Sequence, residues 1–477
     1  MAAARHPTGR HQYVPAVPAP SERLPLVVMG LMFFPRGGSA QVARYLARAL
    51  PATGWSPRLV AGSIGTSGGD GHASTFFEGL DVRAVDFTAA LASADPLAAD
   101  PPFHPSFEDR PGAADRVFAS LDRAAFEHQV EAWTRELAAA GAAEADILHL
   151  HHLTPMNEAA ARAFPHVPVV GHLHGTELLM LEAIDEGRRP DWAYGAEWAE
   201  RMRRWARNCA QVLVLSEDAA RRVPDLLGVD PDRVAPAPNG FDPGPFDRRP
   251  LRGAEREALW RRLLVEDPRG WDESGVPGSV SYSEEALAAF RAGPVLLYVG
   301  RFTEVKRIPL LIGALARARE RFGRPTPLVL LGGYPGEWEG LHPLRAVEES
   351  GAENVFLAGW RGHADLPRGL NAADAVVLPS VHEQFGQVLV EGMACGLPVV
   401  AVDAHGPATI VDDGETGWLV PPDDEAALAD ALVECATDDG ERARRGEAAY
   451  RVSRARYSWP ALAEGVASVY RSARAGS

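Results

Sequence analysis

The chain has 477 residues, of which 46% are hydrophobic and 23% are charged, and its net charge is −16. A single hydrophobic core rarely grows beyond roughly 250–300 residues, so the length predicts two domains and the composition is that of a globular protein. The negative charge argues against nucleic acid as the main partner, because a phosphate backbone requires a basic protein face.

In chain order, residues 1–20 contain proline, histidine and arginine but no apolar signal region, and we interpret them as a disordered tail. Residues 24–32 form a short apolar run typical of a buried strand, and an amphipathic helix follows at residues 41–50. Further strand-like runs occur at residues 58–61, 146–150, 167–171 and 211–215. Their alternation with helical stretches predicts βαβ units and a parallel sheet.

A second series of strand-like runs occurs at residues 294–300, 327–331, 354–357, 375–378 and 398–402. Residues 266–283, which lie between the two series, are polar and turn-rich, and we interpret them as an insertion or a lid beside the linker. Ligands of parallel α/β sheets bind at the carboxyl ends of the strands, so functional residues are expected on the loops that follow strands.

These patterns predict four segments after the tail. We expect a first α/β domain over residues 21–240, a linker with the insertion over 241–290 and a second α/β domain over 291–456. We expect a final helix within residues 457–477 that crosses back to the first domain.

The three cysteines, Cys209, Cys395 and Cys435, lie far apart and form no CxxC pair. This spacing argues against a disulfide scaffold or a zinc knuckle and favours a reducing, cytoplasmic location. No apolar run approaches the roughly 20 residues that span a bilayer, so membrane association is not indicated.

Two carboxylates follow the strand-like run at 375–378, namely Glu383 and Glu391, with seven residues between them. If a helix starts near Phe385, Glu383 lies in the loop before it and Glu391 lies one to two turns inside. The free N–H groups of the first turn can then hold a phosphate beside sugar hydroxyls. On spacing alone, a solvated helix start with an ordinary surface glutamate explains the pattern equally well.

Two cations follow the strand-like run at 294–300. Gly300 permits close approach of the backbone, and Arg301 and Lys306 place positive charge at the carboxyl end of the strand. Lys306 is the single lysine of the chain, and the arginine that follows it rules out a phosphate-binding P-loop. A solvated basic turn is the alternative interpretation.

These segments together resemble family 4 of the retaining glycosyltransferases. The resemblance rests on the two acids, on the Gly-Arg-x4-Lys segment and on the segments at 239–242 (NGFD), 393–401 (MACGLPVVA) and 413–424 (DGETGWLVPPDD). It implies the α/β fold called GT-B, in which two Rossmann-like parallel-sheet domains face a central cleft. The second domain, at 291–456, would hold the nucleotide-sugar donor.

The resemblance also implies a role for each matching residue of the second domain. Arg301 and Lys306 would bind the donor pyrophosphate, Glu391 would bind the ribose hydroxyls, and Glu383 would contact sugar hydroxyls beside the reacting carbon. The donor-binding backbone would comprise Gly300, Phe385, Gly386, Gln387 and Val388. The nucleotide base would lie near Trp360 and Arg361.

Fewer residues of the first domain match. Gly37 and Gly38, which follow Arg36, correspond to the glycine-rich loop that approaches the pyrophosphate, and His174 corresponds to the histidine that reaches the donor sugar. The alternative is that His174 has no role in donor binding and is either hydrogen-bonded within the fold or exposed to solvent. In the second domain, His405 stands where the family often has glycine and Thr409 where it often has glutamate, and both departures could alter sugar preference.

The implied reaction moves a sugar from a nucleoside-diphosphate sugar to an acceptor hydroxyl on a small molecule, a glycan or a lipid-linked molecule. A UDP-sugar is favoured and GDP-mannose comes next, and neither a cofactor nor a metal is required. His149, His151 and His152 end a strand-like run, but no carboxylate is spaced to complete a metal site with them.

Other activities remain open on the same scaffold. A non-catalytic nucleotide-sugar-binding protein would keep the four donor residues without turnover, and a sugar phosphorylase or a nucleotide-sugar epimerase would share the fold. A pyridoxal-phosphate-dependent phosphorylase would need Lys306 as its Schiff base. An NAD-dependent oxidoreductase is disfavoured because no G-x-G-x-x-G follows the first strand.

Overall fold

The computed structural model describes residues 23–35, 37–69, 71–108, 115–383 and 385–476. Within these ranges the chain forms two parallel sheets, which confirms the predicted α/β architecture. The strands of the first sheet are β1 (Leu26–Leu31), β2 (Ser56–Ser63), β3 (Val82–Asp86), β4 (Ile147–His151), β5 (Val169–His172), β6 (Gln211–Val214) and β7 (Val234–Pro236). Those of the second are β8 (Leu296–Gly300), β9 (Leu328–Gly332), β10 (Val355–Gly359), β11 (Ala375–Leu378), β12 (Val399–Val402) and β13 (Gly417–Val420). The predicted tail at 1–20 lies outside the described residues.

Helices connect the strands and cover the sheets. Those before the second sheet are α1 (Gly38–Ala49), α2 (Ala73–Phe76), α3 (Thr88–Leu91), α4 (Arg123–Ala139), α5 (Pro155–Ala163), α6 (Thr176–Asp185), α7 (Gly195–Asn208), α8 (Glu217–Leu227), α9 (Gly253–Arg261) and α10 (Ala289–Ala292). Those that follow are α11 (Ile308–Ala318), α12 (Pro343–Ser350), α13 (Leu366–Asn371), α14 (Gln387–Ala394), α15 (His405–Ile410), α16 (Glu425–Thr437), α17 (Asp439–Arg456) and α18 (Trp459–Ala475).

Each sheet reverses its strand order at the centre. The first runs β3-β2-β1-β4-β5-β6-β7 and the second β10-β9-β8-β11-β12-β13. The order therefore reverses between β1 and β4 and between β8 and β11. Loops that leave neighbouring strands at such a point diverge and open a crevice, which is where ligands of these sheets bind.

Both faces of the first sheet are apolar, because alternate residues of a strand point to opposite sides. Val27 and Met29 of β1 belong to a cluster with α1 and α18, whereas Val28 belongs to a cluster with α4, α5 and α7 on the other face. Because these strands are buried on both faces, consecutive residues are apolar, which explains the continuous apolar runs in the sequence.

The last helix, α18, packs against the first sheet although it follows the second. Trp459, Val466 and Tyr470 are buried in the cluster that contains α1. The chain crosses between the sheets at two adjacent points, where the N–H of Phe241 donates to the carbonyl of Tyr457 at 2.9 Å. The two crossings therefore lie side by side at the junction of the sheets.

Three strands were not anticipated from the sequence, and all three lie at sheet edges: β3, β7 and β13. Edge strands have one hydrogen-bonded neighbour and are less covered, so β3 and β7 lack the apolar run of a central strand. β13 is apolar and largely buried but only four residues long. In β3 only Val85 is buried, and β7 is three residues long and ends in Pro236. Their existence depends on the neighbouring strand rather than on a local pattern.

The insertion at residues 266–283 is anchored to the second sheet by one tryptophan. Trp271 is fully buried, and its indole N–H donates to the carbonyl of Gly333 at 3.0 Å. Its ring lies 5.4 Å from that of Phe302 and 5.9 Å from that of Trp338. The segment is therefore part of the packed core at the carboxyl ends of β8 and β9.

Replacing Trp271 with alanine should destabilise the protein by about 3–5 kcal/mol, because a large cavity forms and the carbonyl of Gly333 loses its donor. Trp360→Ala is the matched control, since Trp360 is 47% exposed and its loss should cost within about 0.5 kcal/mol. Urea denaturation followed by near-ultraviolet circular dichroism measures both. Equal costs for the two variants would contradict the anchoring role.

Candidate active site

The loops after β8 and β11 are bonded to each other at the centre of the second sheet. The backbone N–H of Val381 and the hydroxyl of Ser380 both donate to the carbonyl of Val305, at 3.0 and 3.2 Å. Because β8 and β11 are neighbouring parallel strands, both loops leave the sheet at the same edge. These bonds hold Lys306, at the end of one loop, beside Glu383 in the other.

Lys306 and Glu383 form an ion pair in which Nζ donates to Oε2. The side chains are largely buried, with 16% and 19% of their surfaces exposed. The charges attract more strongly here than on an open surface, because solvent and salt screen them less. The motifs predict a cation and an acid at this edge, and the structure shows in addition that the two neutralise each other.

The helix after β11 begins later than predicted. A start near Phe385 was expected, but α14 begins at Gln387. Phe385 is buried and packs against Tyr457, and Gly386 has a φ of 100°, in the left-handed region that favours glycine. No side chain of the described residues caps this helix. The N–H of Leu389 donates to the carbonyl of Gly386 at 2.9 Å, and the N–H groups of Gln387 and Val388 lie at the uncapped start of the helix, beside Glu383.

Glu391 is 3% exposed and lies inside α14. Its Oε1 accepts from Nε2 of His363 at 3.2 Å and from the side-chain amide of Gln387 at 3.1 Å. The hydrogen bond to Glu391 raises the pKa of His363 above its ordinary value of 6.5. His363 follows β10, so it reaches the same edge as Glu391; its position after a strand is the sequence signal that could have identified it.

A cavity of about 380 Å³ brings together predicted residues from both halves of the chain. Those that line it are Gly37, Gly38, Lys306, Glu383, Gln387, Val388 and Glu391. Residues that motif reasoning missed also line it, among them Gln41, Tyr45, Asp242, His363 and Trp459. Trp459 comes from α18 and stacks on Tyr45 of α1, with ring centroids 5.9 Å apart. The cavity is therefore built by both domains and by the returning helix.

Of the twelve predicted catalytic and donor-binding residues, five do not line this cavity: His174, Gly300, Arg301, Phe385 and Gly386. Trp360 and Arg361, near which the base was predicted, do not line it either. Arg301 has an exposed side chain, and its carbonyl accepts from the hydroxyl of Tyr298 at 2.7 Å. A Cβ on Gly300 would lie 2.7 Å from that hydroxyl, so glycine is required for packing there. Arg36 lies outside the described residues.

His174 follows β5 and is half-buried. Its backbone N–H donates to Oε1 of Glu177 at 3.0 Å, and its ring Nε2 lies 2.9 Å from Nδ1 of His151. Burial, followed by the neighbouring histidines, holds the pKa of His174 well below its ordinary value of 6.5. The ring is therefore neutral and can offer a hydrogen bond without adding charge to the cleft.

Further histidines stack behind it on β4 and β5. The nitrogens of His149, His151 and His172 lie within 4.8 Å of one another, and all three rings are buried. Imidazole lone pairs lie in the ring plane, and these rings are nearly parallel, with interplanar angles of 17° and 25°. Nε2 of His149 lies 3.1 Å from Nδ1 of His172, and Nδ1 of His149 is bonded to the hydroxyl of Tyr470. The cluster is therefore arranged as a packed layer.

Two Rossmann-like sheets that face a shared cavity define the GT-B class of fold. The chain matches the family model described as "Glycosyl transferases group 1" over residues 293–438 and the one described as "Glycosyltransferase Family 4" over residues 36–244. It belongs to family 4 of the glycosyltransferases, and it is a transferase enzyme.

Relatives agree with this assignment, and solved structures share the fold. A D-inositol 3-phosphate glycosyltransferase of Stackebrandtia nassauensis is 30% identical, over 80% of this chain and 81% of that protein. A D-inositol 3-phosphate glycosyltransferase of Kineococcus radiotolerans is 33% identical, over 64% of this chain and 66% of that protein. The sucrose-phosphate synthase of Thermosynechococcus elongatus shares the fold, with a TM-score of 0.64, 20% identity and coverage of 95% and 100%. Anabaena HepE in complex with UDP has a TM-score of 0.61, 19% identity and coverage of 93% and 98%.

The matched residues include both domains, and the motifs described above lie within the same parts of the chain. Within the described ranges, none of the helices combines the length and the apolar character that crossing a bilayer requires.

The contact between His363 and Glu391 predicts a measurable titration. Glu391→Gln removes the charge, so the pKa of His363 should fall from its raised value towards 6.5. In the wild type the contact should stabilise the fold fully below pH 6.5 and lose that effect as the pH rises through the raised pKa of His363. Histidine NMR titration measures the shift, with His363→Gln to assign the resonance and Glu447→Gln, at an exposed site, as the control. An unchanged titration in Glu391→Gln would refute the coupling.

Proposed function

We propose that this glycosyltransferase moves a sugar from a nucleoside-diphosphate sugar, preferably a UDP-sugar, to an acceptor hydroxyl with retention of anomeric configuration and without a metal ion. The observation that carries the proposal is the 380 Å³ cavity, in which Lys306, Glu383 and Glu391 meet the glycine loop of the first domain. The cation and the backbone N–H groups at the start of α14 can bind a pyrophosphate. The two acids can accept hydrogen bonds from the hydroxyls of a sugar and of a ribose.

The donor would lie along the carboxyl edge of the second sheet. The pyrophosphate would sit between Lys306 and the uncapped start of α14, where the helix dipole favours negative charge. The ribose hydroxyls would donate to Glu391, which lies inside the helix and already accepts two hydrogen bonds. The loop after β10 brings His363 into the cavity and exposes Trp360, and this loop would receive the base.

The ion pair suggests how binding prepares the site. A pyrophosphate brings negative charge to Lys306 and can replace the carboxylate of Glu383 as its partner. Glu383 is then free to accept hydrogen bonds from hydroxyls of the donor sugar. The same two side chains therefore neutralise each other before binding and act on separate parts of the donor after it.

In the reaction, the bond between the anomeric carbon and the phosphate oxygen breaks while the acceptor oxygen bonds to that carbon on the same face. The acceptor proton passes to the departing phosphate oxygen. Negative charge grows on the leaving diphosphate, where Lys306, the start of α14 and, from the loop beside it, Arg301 would stabilise it. His174, neutral and next to the cleft, would hydrogen-bond a hydroxyl of the sugar.

Related proteins support the class of donor. The structures of Anabaena HepE hold UDP and UDP-glucose, and that of Starch Synthase IV from Arabidopsis thaliana holds ADP. Lys306 and the N–H groups at the start of α14 offer the charge stabilisation that a metal ion would otherwise supply, which supports a metal-independent reaction. The three cysteines are buried and unpaired, which supports a cytoplasmic location.

The proposal is tested by measuring binding and turnover across donors. We expect UDP to raise the melting temperature more than GDP or ADP, because binding to the native state shifts the equilibrium. UDP-sugars should then give glycosylated product or slow release of UDP, with equal rates in EDTA. Binding without any turnover would indicate a non-catalytic nucleotide-sugar-binding protein, and a strict requirement for a metal would contradict the charge argument.

Lys306→Ala should lower kcat by about 10²–10³, because a preorganised positive charge at the leaving group is lost. Arg319→Ala is the matched control: Arg319 is half exposed and pairs with Glu353 at 2.7 Å on the surface. That pair should contribute within about 1 kcal/mol to stability, and turnover should match the wild type. Steady-state kinetics and thermal melting measure both variants. Lys306→Ala with wild-type turnover would remove the central support for the assigned site.

A further inference from the structure

The carboxylate of Glu391 is held through one of its two oxygens. Oε1 accepts from Nε2 of His363 at 3.2 Å and from the side-chain nitrogen of Gln387 at 3.1 Å. Oε2 accepts no hydrogen bond from the residues that the structure describes. Because Glu391 is 3% exposed and lines the cavity of about 380 Å³, Oε2 is the acceptor that remains for a ligand there.

The amide of Gln387 is fixed in orientation by its two partners. Its nitrogen donates to the carbonyl of Gly240 at 2.9 Å as well as to Glu391. A carbonyl and a carboxylate both accept, so only the NH₂ end of the amide can face them. Gly240 precedes Phe241, where the chain first crosses between the sheets. The amide therefore links the acid of the second domain to the domain junction.

The ring of His363 is fixed in a similar way. It packs against Phe246, with ring centroids 5.2 Å apart, and Phe246 is buried. A carboxylate cannot donate, so Nε2 of His363 carries the proton that Glu391 accepts. Both rings line the cavity that contains Glu391. The imidazole therefore approaches the carboxylate from one defined direction.

The number of acceptor positions matches a vicinal diol. A carboxylate offers roughly four positions, two on each oxygen. His363 and Gln387 occupy the two on Oε1, and the two on Oε2 stay open. The neighbouring 2′ and 3′ hydroxyls of a ribose supply two donors, which is the number that Oε2 can accept.

We propose that His363 and Gln387 are positioning residues that present Oε2 of Glu391 to both ribose hydroxyls, so that the enzyme takes ribonucleoside diphosphate sugars and rejects 2′-deoxyribonucleoside diphosphate sugars. This inference rests on the proposed function. Neither residue needs to touch the ribose, because each acts through the carboxylate that does.

The discrimination has a physical cause. A 2′-deoxyribose leaves one acceptor position of a buried carboxylate without a donor, and hydrogen bonds to charged groups are the strongest of their kind. If His363 or Gln387 is lost, a position on Oε1 opens and the side chain is less restrained. Glu391 can then turn towards the single remaining hydroxyl, and the penalty for the missing one falls.

The test compares the binding of UDP and 2′-deoxy-UDP by calorimetry. The wild type should bind UDP at least about tenfold more tightly. His363→Leu and Gln387→Met each remove one donor, and the ratio should fall below about threefold. His363→Gln restores an N–H donor at a similar distance from the backbone, and the ratio should stay above about fivefold.

His166→Leu is the matched control. His166 is exposed in the first domain, where its Nε2 lies 3.0 Å from the carbonyl of Ala143, and it does not line the cavity. This variant should keep the wild-type ratio. Melting temperatures of all variants are measured alongside, because a role confined to stability would weaken both nucleotides equally and leave the ratio unchanged.

Three results would overturn the inference: a wild-type ratio near one, an unchanged ratio in both His363→Leu and Gln387→Met, or equal ratios in His363→Gln and His363→Leu. UDP binding with a ratio near one would contradict the positioning role and leave the donor site intact. Absence of UDP binding in the wild type would contradict the donor site itself, so the two failures are distinguishable.

Discussion

The hydrogen bonds between the loops after β8 and β11 determine the geometry of the site. Two donors from residues 380 and 381 converge on the carbonyl of Val305 and place Lys306 against Glu383. Strand order makes this possible, since β8 and β11 are neighbours in the sheet although two strands lie between them in sequence. A cation and an acid that would be solvated on separate loops are thereby held as a partly buried pair.

The junction of the two domains is the second determinant. Gln387 of α14 donates to the carbonyl of Gly240 at 2.9 Å and also to Glu391, so the acid of the second domain is tied to the first crossing of the chain. Trp459, just after the second crossing, stacks on Tyr45 of α1. Any change in the angle between the domains must therefore alter the walls of the cavity. Closure on a ligand is the physical means by which such a site would exclude water.

The histidine layer on β4 and β5 illustrates how burial determines charge. His149 and His151 have no exposed surface, and burial holds the pKa of each well below the ordinary value. His149 hydrogen-bonds to His172 and to Tyr470, and His151 hydrogen-bonds to His174. These hydrogen bonds, together with the stacking of His149 on His151, connect α18 to His174, and the layer adds no positive charge near the cleft.

The α/β class, the central strands and the charged residues at the strand ends could be predicted from the sequence, because they depend on local periodicity and residue type. Three contacts could not: the pairing of Lys306 with Glu383, 77 residues away, the bond between His363 and Glu391, and the contribution of Trp459 from α18 to the cavity. Those contacts follow from strand order and from the packing of one domain on another. A local pattern carries no information about either, and three of the four edge strands were missed for the same reason.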